Sequence, residues 1–243
     1  MPTIDCLPIY VAQKRGIFKK HNQTVQLHTF NAQMDCDTAL VGTTAQIAVT
    51  DLVRAEYLKK QAIQLAYPIA TNAYWQLLAA HTSRINNPKQ LGDKVVGMTR
   101  HSATDLLTDR IIKQNKTSNS IYKIQVNNVI IRLKMLNSSQ LDAAWLTEPQ
   151  ATQARIQKNK VIADSKEQKL TLGVIAVKTQ EINQQQIDTF IKAYNEAVDS
   201  IQKYGMKTYL KTFKEQYQID QKTIDAMPQI KFTHAQTPQS QEL

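Results

Sequence analysis

The spacing of apolar positions changes repeatedly along this chain, and the changes predict where strands and helices lie. Short apolar runs of strand length, such as Ile47–Thr50 and Leu172–Val177, alternate with segments whose apolar residues recur every three to four positions. The longest helical stripe runs from Ile187 to Tyr204. Strands that alternate with helical patterns favour an α/β fold, and we expect its sheets to be mainly parallel.

The predicted elements fall into two groups. Strands are predicted at 24–30, 47–50, 63–67, 74–80, 95–98, 122–126, 141–146, 160–163 and 172–177, and helices at 34–41, 52–60, 102–114, 129–136, 149–157 and 187–204, with two weaker helical stretches in the tail. Around Thr71 and Asn72 one strand follows another without an intervening helix, which predicts a crossover between two lobes. We therefore expect lobe I to comprise 1–72 and 177–243, and lobe II to comprise 73–176.

The start of the first helix is the most informative local pattern. Asp5 can cap this helix, Pro8 fits its first turn, and Gly16 is expected to end it before Ile17 and Phe18 pack on the core. The helix starts directly after an extended segment, so its unpaired backbone N–H groups face the place where small ligands are often held.

Composition and charge narrow the functional classes. The 243 residues are 42% hydrophobic and 21% charged, which is ordinary for a globular protein of one large domain or two modest lobes. The formal charge of +10 is compatible with an acidic partner, but the lysines are spread out, with no basic run and no interleaved aromatics, so we predict no nucleic-acid binding. The sequence holds no apolar run long enough to span a membrane.

Metal, cofactor and nucleophile motifs are absent from the sequence. Cys6 and Cys36 lack the spacing of a metal site, and they form either one disulfide or two small thiols. With 6 glycines, no Gly-rich phosphate loop and no catalytic motif occur. A pair of either cysteine with His101 is conceivable but disfavoured, because no basic residues flank the cysteines. We predict no metal, no cofactor and no enzymatic activity.

Several segments, in this order and spacing, resemble the type II periplasmic solute-binding proteins of importers for sulfonates, nitrate and thiamine-pyrimidine precursors. These segments are the first helix, with its pattern of Pro8, Tyr10, Ala12, Gly16 and Phe18, and the blocks 35–40, 47–51, 91–97 and 136–149. No single motif is specific, but together they cover nearly the whole chain. The resemblance implies two doubly wound α/β lobes joined by two crossover strands, with a ligand cleft between the lobes.

The resemblance also implies a partner and a location. Such a protein is a monomer that hands its ligand to the membrane permease of an ABC importer, and it lies in the periplasm or is lipid-anchored as a lipoprotein facing it. No signal peptide is visible, so the resemblance implies a chain trimmed after its export signal, with the opening strand short. The alternative is an enzyme on the same scaffold, such as a small-molecule lyase or pyrimidine-forming protein, with His101, Asp51 or Glu148 as acid or base.

Ligands of open α/β sheets bind beyond the carboxyl ends of the strands, so the loops that follow strands hold the candidate binding residues. The candidates are Asp5, Asn31, Gln33, Asp35, Thr50, Asp51, Trp75, Thr99, Arg100, Ser102, Thr104, Asn128, Trp145 and Glu148. Hydroxyls and N–H groups beside Arg100 suit an anion. The gathered carboxylates imply hydrogen-bond donors on the ligand, and Trp75 and Trp145 could stack on a flat ring. Each also has an ordinary reading as a helix cap or core residue. We predict a small polar, ring-containing or anionic ligand.

Overall fold

The computed structural model describes residues 3–116, 119–167 and 170–239. Strands and helices alternate over most of these ranges. The strands are β1 (Ile47–Asp51), β2 (Leu65–Ala70), β3 (Gln76–Ala79), β4 (Val95–Met98), β5 (Tyr122–Gln125), β6 (Ala143–Leu146), β7 (Lys160–Asp164) and β8 (Gly173–Lys178). The helices are α1 (Leu7–Lys14), α2 (Ile17–Lys20), α3 (Gln33–Val41), α4 (Leu52–Lys59), α5 (Ala103–Asn115), α6 (Val129–Asn137), α7 (Gln150–Ile156), α8 (Gln184–Tyr204), α9 (Met206–Thr212), α10 (Lys214–Tyr217) and α11 (Gln221–Ala226).

The strands form two separate sheets. The first sheet has the order β1-β8-β2, and the second has the order β5-β4-β6-β3-β7. The chain crosses from the first sheet to the second between β2 and β3, and it returns between β7 and β8. This arrangement confirms the two-sheet α/β fold. The lobe boundaries stay a prediction, although all of β8, from Gly173 onward, pairs within the first sheet.

The expectation of mainly parallel sheets is wrong. Among the described strands, only the pairings of β4 with β5 and with β6 are parallel. β8 runs antiparallel to both β1 and β2, and β3 runs antiparallel to both β6 and β7. β3 follows β2, and β8 follows β7, without an intervening helix, so no helical crossover imposes the parallel direction on them.

Most predicted elements lie within three residues of the observed ones. The strand predicted at 24–30 is wrong, because this segment pairs with no strand in the described part of the chain. Val25 and Leu27 instead pack against the core around α1 and α8, so packing alone explains the alternation. The tail holds three short helices, α9, α10 and α11, rather than two.

The first helix shows how local chemistry sets the fold. Pro8 lies in its first turn, and Gly16 ends it in the left-handed conformation, with φ of 68°, which places Ile17 and Phe18 in the core. Phe18 stacks on Phe190 of α8, with ring centroids 5.6 Å apart. Asp5 does not cap α1, which corrects the prediction: it lies in a 3-10 turn ahead of the helix.

No helix in the described ranges is both long enough and apolar enough to cross a lipid bilayer.

Candidate functional site

A small cavity, lined mainly by polar residues, lies between the two sheets. The space in it that is open to the centre of a water molecule is about 40 Å³, enough for a few water positions. Its lining combines residues of the first sheet, the crossing segment and the second sheet. They are Thr3, Asp5, Gln33, Val49, Thr50, Asp51, Ala73, Trp75, Thr99, Ser102, Thr104, Arg132 and Thr147. Eight of the fourteen sequence-predicted binding residues are therefore brought together here.

One side of the cavity, which we term the basic wall, consists of Thr99, Ser102, Thr104, Arg132 and Thr147. Ser102 caps α5, where its Oγ accepts from the Thr104 backbone N–H at 3.2 Å. The Thr99 N–H donates to Thr104 Oγ1 at 2.9 Å. The N–H groups of this helix start are thus largely occupied by nearby side chains, which corrects the expectation that they are free.

Arg132 is a buried cation without a counter-charge among the described residues. Its guanidinium donates to the carbonyl oxygens of Val126 and Trp145 and to Thr99 Oγ1, all within 2.6–2.9 Å. The residue is 4% exposed, and burial lowers the pKa of the guanidinium to about 10. Since every acceptor is neutral, the positive charge remains uncompensated beside the cavity.

The opposite side, which we term the acidic wall, consists of Asp5, Gln33, Thr50 and Asp51. Asp51 caps α4: its Oδ1 accepts from the Arg54 N–H at 2.8 Å and also from the Ala103 N–H at 2.9 Å. One carboxylate oxygen therefore joins the starts of α4 and α5 across the two sides. Burial, with a smaller contribution from nearby Asp37, raises the pKa of Asp51 to about 7 against the opposing effect of its two backbone hydrogen bonds.

Two other side chains order the acidic wall. Gln33 Nε2 donates to Thr50 Oγ1 at 3.2 Å and to Asp37 Oδ1 at 3.0 Å. Thr71 Oγ1 donates to Asp5 Oδ2 at 3.1 Å. Asp5 Oδ1 is buried and has no hydrogen-bond partner among the described residues. This wall thus presents acceptor groups to the cavity.

Six predicted binding residues do not line the cavity. Asn31 and Asp35 are exposed, and Asn128 is occupied in capping α6. Arg100 is also exposed and turns outward, and its backbone carbonyl accepts from Arg54 Nη1 at 3.1 Å. The position beside the cavity that was expected for Arg100 is taken by Arg132.

Trp145 and Glu148 are core residues rather than cavity-lining ones. Trp145 is fully buried, and its indole N–H donates to Thr108 Oγ1 at 2.9 Å. Glu148 is also fully buried, where it pairs with Arg155 at 2.6 Å and accepts from Gln76 and Thr152. A strand end followed by a polar turn predicts a position in the cleft. Here, however, each of the two side chains forms its hydrogen bonds with neighbouring residues around the second sheet.

Five lining residues were not predicted: Thr3, Val49, Ala73, Arg132 and Thr147. Of these, Arg132 left a usable signal in the sequence. It is the lone charged residue in the apolar run Val129–Leu133 that opens α6, and its fourth position there lies on the buried side of the helix. A lone arginine on an apolar helix face must find buried acceptors or an anion.

A wider groove, with about 680 Å³ of open space, adjoins α3, α4 and the loop before α5. Here the ring of Tyr57 stacks on that of His101, with centroids 4.3 Å apart and planes 2° from parallel. Arg54 forms an ion pair with Asp37 at 2.5 Å. The stack of Tyr57 on His101 joins the two sides of the molecule outside the cavity, whereas the ion pair links α3 and α4 within the first side.

The side chains disfavour nucleophilic chemistry. Cys6 and Cys36 are both buried and are not joined in a disulfide, which decides between the disulfide and the two thiols. Burial raises the pKa of Cys6 to about 11 and also raises that of Cys36, so both stay as thiols near neutral pH. In the described residues no three His, Cys, Asp or Glu side chains gather as a metal site would require.

Two sheets joined by two crossings around a polar cavity define the fold of the type II periplasmic binding proteins. Solved structures share this fold with the chain. The periplasmic aliphatic sulphonate binding protein SsuA from Escherichia coli has a TM-score of 0.75 and 16% identity, with 95% of this chain and 78% of that chain covered. SsuA from Xanthomonas axonopodis pv. citri, an alkanesulfonate-binding protein bound to MOPS, has a TM-score of 0.78 and 14% identity, covering 95% and 83%. The nitrate-binding protein NrtA from Synechocystis PCC 6803 has a TM-score of 0.76 and 10% identity, covering 93% and 66%.

The chain belongs to the NMT1/THI5-like family, which matches residues 3–207. This match confirms the resemblance derived from the sequence. A search of curated protein sequences found no match.

Proposed function

We propose that this protein is the substrate-binding component of an ABC-type importer and that it captures a small organic molecule with an anionic group. The observation that carries the proposal is Arg132, a buried cation beside the cavity between the sheets. All of the hydrogen-bond acceptors that it contacts among the described residues are neutral. An anionic ligand group in the cavity supplies the missing counter-charge, and the hydroxyls of Thr99, Ser102 and Thr104 supply further polar contacts.

Binding is coupled to closure of the two lobes. The cavity draws its lining from both sheets, so a ligand makes its full set of contacts only when the two sides are together. A ligand that binds the closed state better shifts the population towards it. The crossing segments between β2 and β3 and between β7 and β8 are the positions where such a hinge would lie.

The proposal extends to partner and location. The solved relatives named above include sulfonate-binding and nitrate-binding periplasmic proteins. By analogy the chain works in the periplasm and delivers its ligand to a membrane permease without changing it chemically. Its neutral, buried thiols and the position of His101 outside the cavity give no support to the alternative of an enzyme.

A thermal-shift panel tests the proposal. The panel comprises sulfonates, carboxylates, nitrate, amines and aminopyrimidines at neutral pH. A ligand at 100 times its Kd adds about 2.7 kcal/mol to the free energy of unfolding and raises Tm by several degrees. We expect this rise with an anionic class, and we expect mass spectrometry to recover the compound unchanged.

A filled cavity provides the matched control. Thr147→Leu adds bulk to the lining and should abolish the ligand-induced shift, whereas Thr208→Leu, at an exposed position on α9, should preserve it. The absence of a shift with every anion, or an equal shift in the Thr147 variant, would refute capture at this cavity. Consumption of the compound would favour the enzyme instead.

A further inference from the structure

Asp5 carries an unsatisfied acceptor in the acidic wall. The residue is 3% exposed, and it lines the cavity. Its Oδ2 accepts from Thr71, but its Oδ1 is buried and meets no hydrogen-bond donor among the described residues. A buried polar atom without a partner costs about 1–3 kcal/mol, and more when the group is charged. Native structures leave few such atoms, so this one needs an occupant.

Two other acceptors of the acidic wall already have donors. Asp51 Oδ1 accepts two backbone N–H groups, and Thr50 Oγ1 accepts from Gln33. Asp37, just behind the wall, is paired with Arg54. Asp5 Oδ1 is therefore the buried carboxylate oxygen of this wall that has no donor among the described residues.

The opposite wall has the reverse character. Arg132 is positive there, and its described partners include no carboxylate. Arg132 and Asp5 both line the cavity, so a ligand between the walls has a cation on one side and a carboxylate residue on the other. A molecule with an anionic group alone would leave Asp5 Oδ1 as it is and would bring negative charge towards it.

We propose that Asp5 receives an amino nitrogen of the ligand, so that the ligand carries an amino group as well as an anionic group. The inference rests on the proposed function, which assigns the anionic group to the basic wall. The cavity is small, which favours a compact molecule with a short spacer between its two groups. A buried water could instead satisfy Asp5, and in that case the amino group would bring no advantage.

Matched pairs of probes test the inference in the unmodified protein. Each pair differs by one amino group: methanesulfonate and aminomethanesulfonate, propanoate and β-alanine, and a pyrimidine carboxylate with and without a ring amino group. We expect the amino member of the pair that fits the cavity to bind about tenfold or more tightly by isothermal titration calorimetry, as hydrogen bonds to charged groups do.

Asp5→Asn locates the effect. The amide keeps the size of the side chain and an acceptor for Thr71, but it can place an N–H donor where Oδ1 lies. We expect the preference for the amino member over the plain anion to disappear, because the oxygen that accepts the amino group is replaced. Asp35→Asn makes the same chemical change at an exposed position outside the cavity and should keep the preference.

The outcomes separate the two proposals. Equal binding of both members of every pair that binds, or a preference that survives Asp5→Asn, overturns the inference and leaves anion capture standing. Failure of every anion, with or without the amino group, overturns the proposed function and the inference together. The comparison of probes in the unmodified protein does not depend on whether the variant folds.

Discussion

The two walls of the cavity handle buried charge in opposite ways. In the basic wall the guanidinium of Arg132 has hydrogen-bond partners on three residues, yet none of these partners is negatively charged. In the acidic wall Asp5 retains an acceptor oxygen for which the described residues supply no donor. One wall thus satisfies its hydrogen bonds but not its charge, whereas the other leaves a hydrogen bond itself unmade.

The fold explains this difference. Arg132 projects from helix α6 towards the end of β6 and the loop after β5, where backbone carbonyls are available. Asp5 lies in a short 3-10 turn at a place where the chain supplies only one hydroxyl. A buried charge can persist with hydrogen bonds to neutral groups, whereas an unmade hydrogen bond indicates more specifically which group would complete it.

The largest effect is expected from removing the charge of the basic wall. Arg132→Met fills a similar volume but removes the N–H groups that donate to Thr99 Oγ1, Val126 O and Trp145 O. We expect the free energy of unfolding to fall by about 2–3 kcal/mol, since buried acceptors lose their partners. Binding of the anion should weaken about a hundredfold, because its counter-charge is gone. Urea denaturation and calorimetry measure the two effects.

Lys134→Met is the matched control for this change. It lies on the same helix, α6, but its side chain is exposed. The free energy of unfolding of the Lys134→Met protein and its affinity for the anion should both stay close to those of the unmodified protein. A stable Arg132 variant that binds anions normally would contradict the role of the basic wall.

The second expected effect comes from Asp51, which joins the two walls. An ordinary aspartate in the unfolded chain loses its proton near about pH 4, whereas Asp51 in the folded protein has a pKa of about 7. Between these values the folded state keeps a proton that the unfolded state has released. The free energy of unfolding therefore falls as the pH rises through this window, and the penalty is complete above about pH 7.

Asp51→Asn removes this titration while keeping an acceptor for the N–H groups of Arg54 and Ala103. The stability of the unmodified protein relative to the variant should drop by about 3–4 kcal/mol between about pH 4 and about pH 8. Urea midpoints measured across this range give the difference, and Asp35→Asn should run parallel to the unmodified protein. A constant difference for Asp51→Asn would mean that its carboxyl titrates normally.

The sequence predicted the elements better than the site because helix starts and strands depend on neighbours in the chain. Capping by Asp51 and Ser102 follows from local residue types and is confirmed. The direction of β3 and β8 depends on how the chain crosses between sheets, which no local pattern encodes. The strand predicted at 24–30 failed for the same reason, since pairing needs a partner strand.

The candidate site was half predictable. Residues placed by strand ends and caps, such as Thr50, Asp51 and Ser102, do line the cavity. Arg132 was missed because it lies inside a helix, and Trp145 was expected there although its indole packs in the core. Whether a polar side chain at a strand end faces a cavity or a neighbouring side chain depends on tertiary packing, as Glu148 and Arg155 illustrate.

The smallest expected effect concerns the contact that joins the two sides outside the cavity. Tyr57 stacks on His101, and neither residue lines the cavity. Tyr57 also lies under the guanidinium of Arg54, so a double-mutant cycle of Tyr57→Ala and His101→Ala is needed to isolate the stack. We expect a coupling of about 0.5–1 kcal/mol in binding affinity.

This coupling separates the role of the two walls from that of lobe closure. The Tyr57–His101 stack is expected to stabilise the closed arrangement of the two lobes without contacting the ligand. Weakening the stack should lower the affinity of a plain anion and of its amino analogue by the same few-fold factor, since both depend on the same closed population. Tyr122→Ala, at an exposed position on β5, should leave both affinities unchanged. If the Tyr57 or His101 variant instead alters the ratio between the two ligands, then the groove contacts the ligand directly, and the polarity of the two walls alone does not determine what the protein selects.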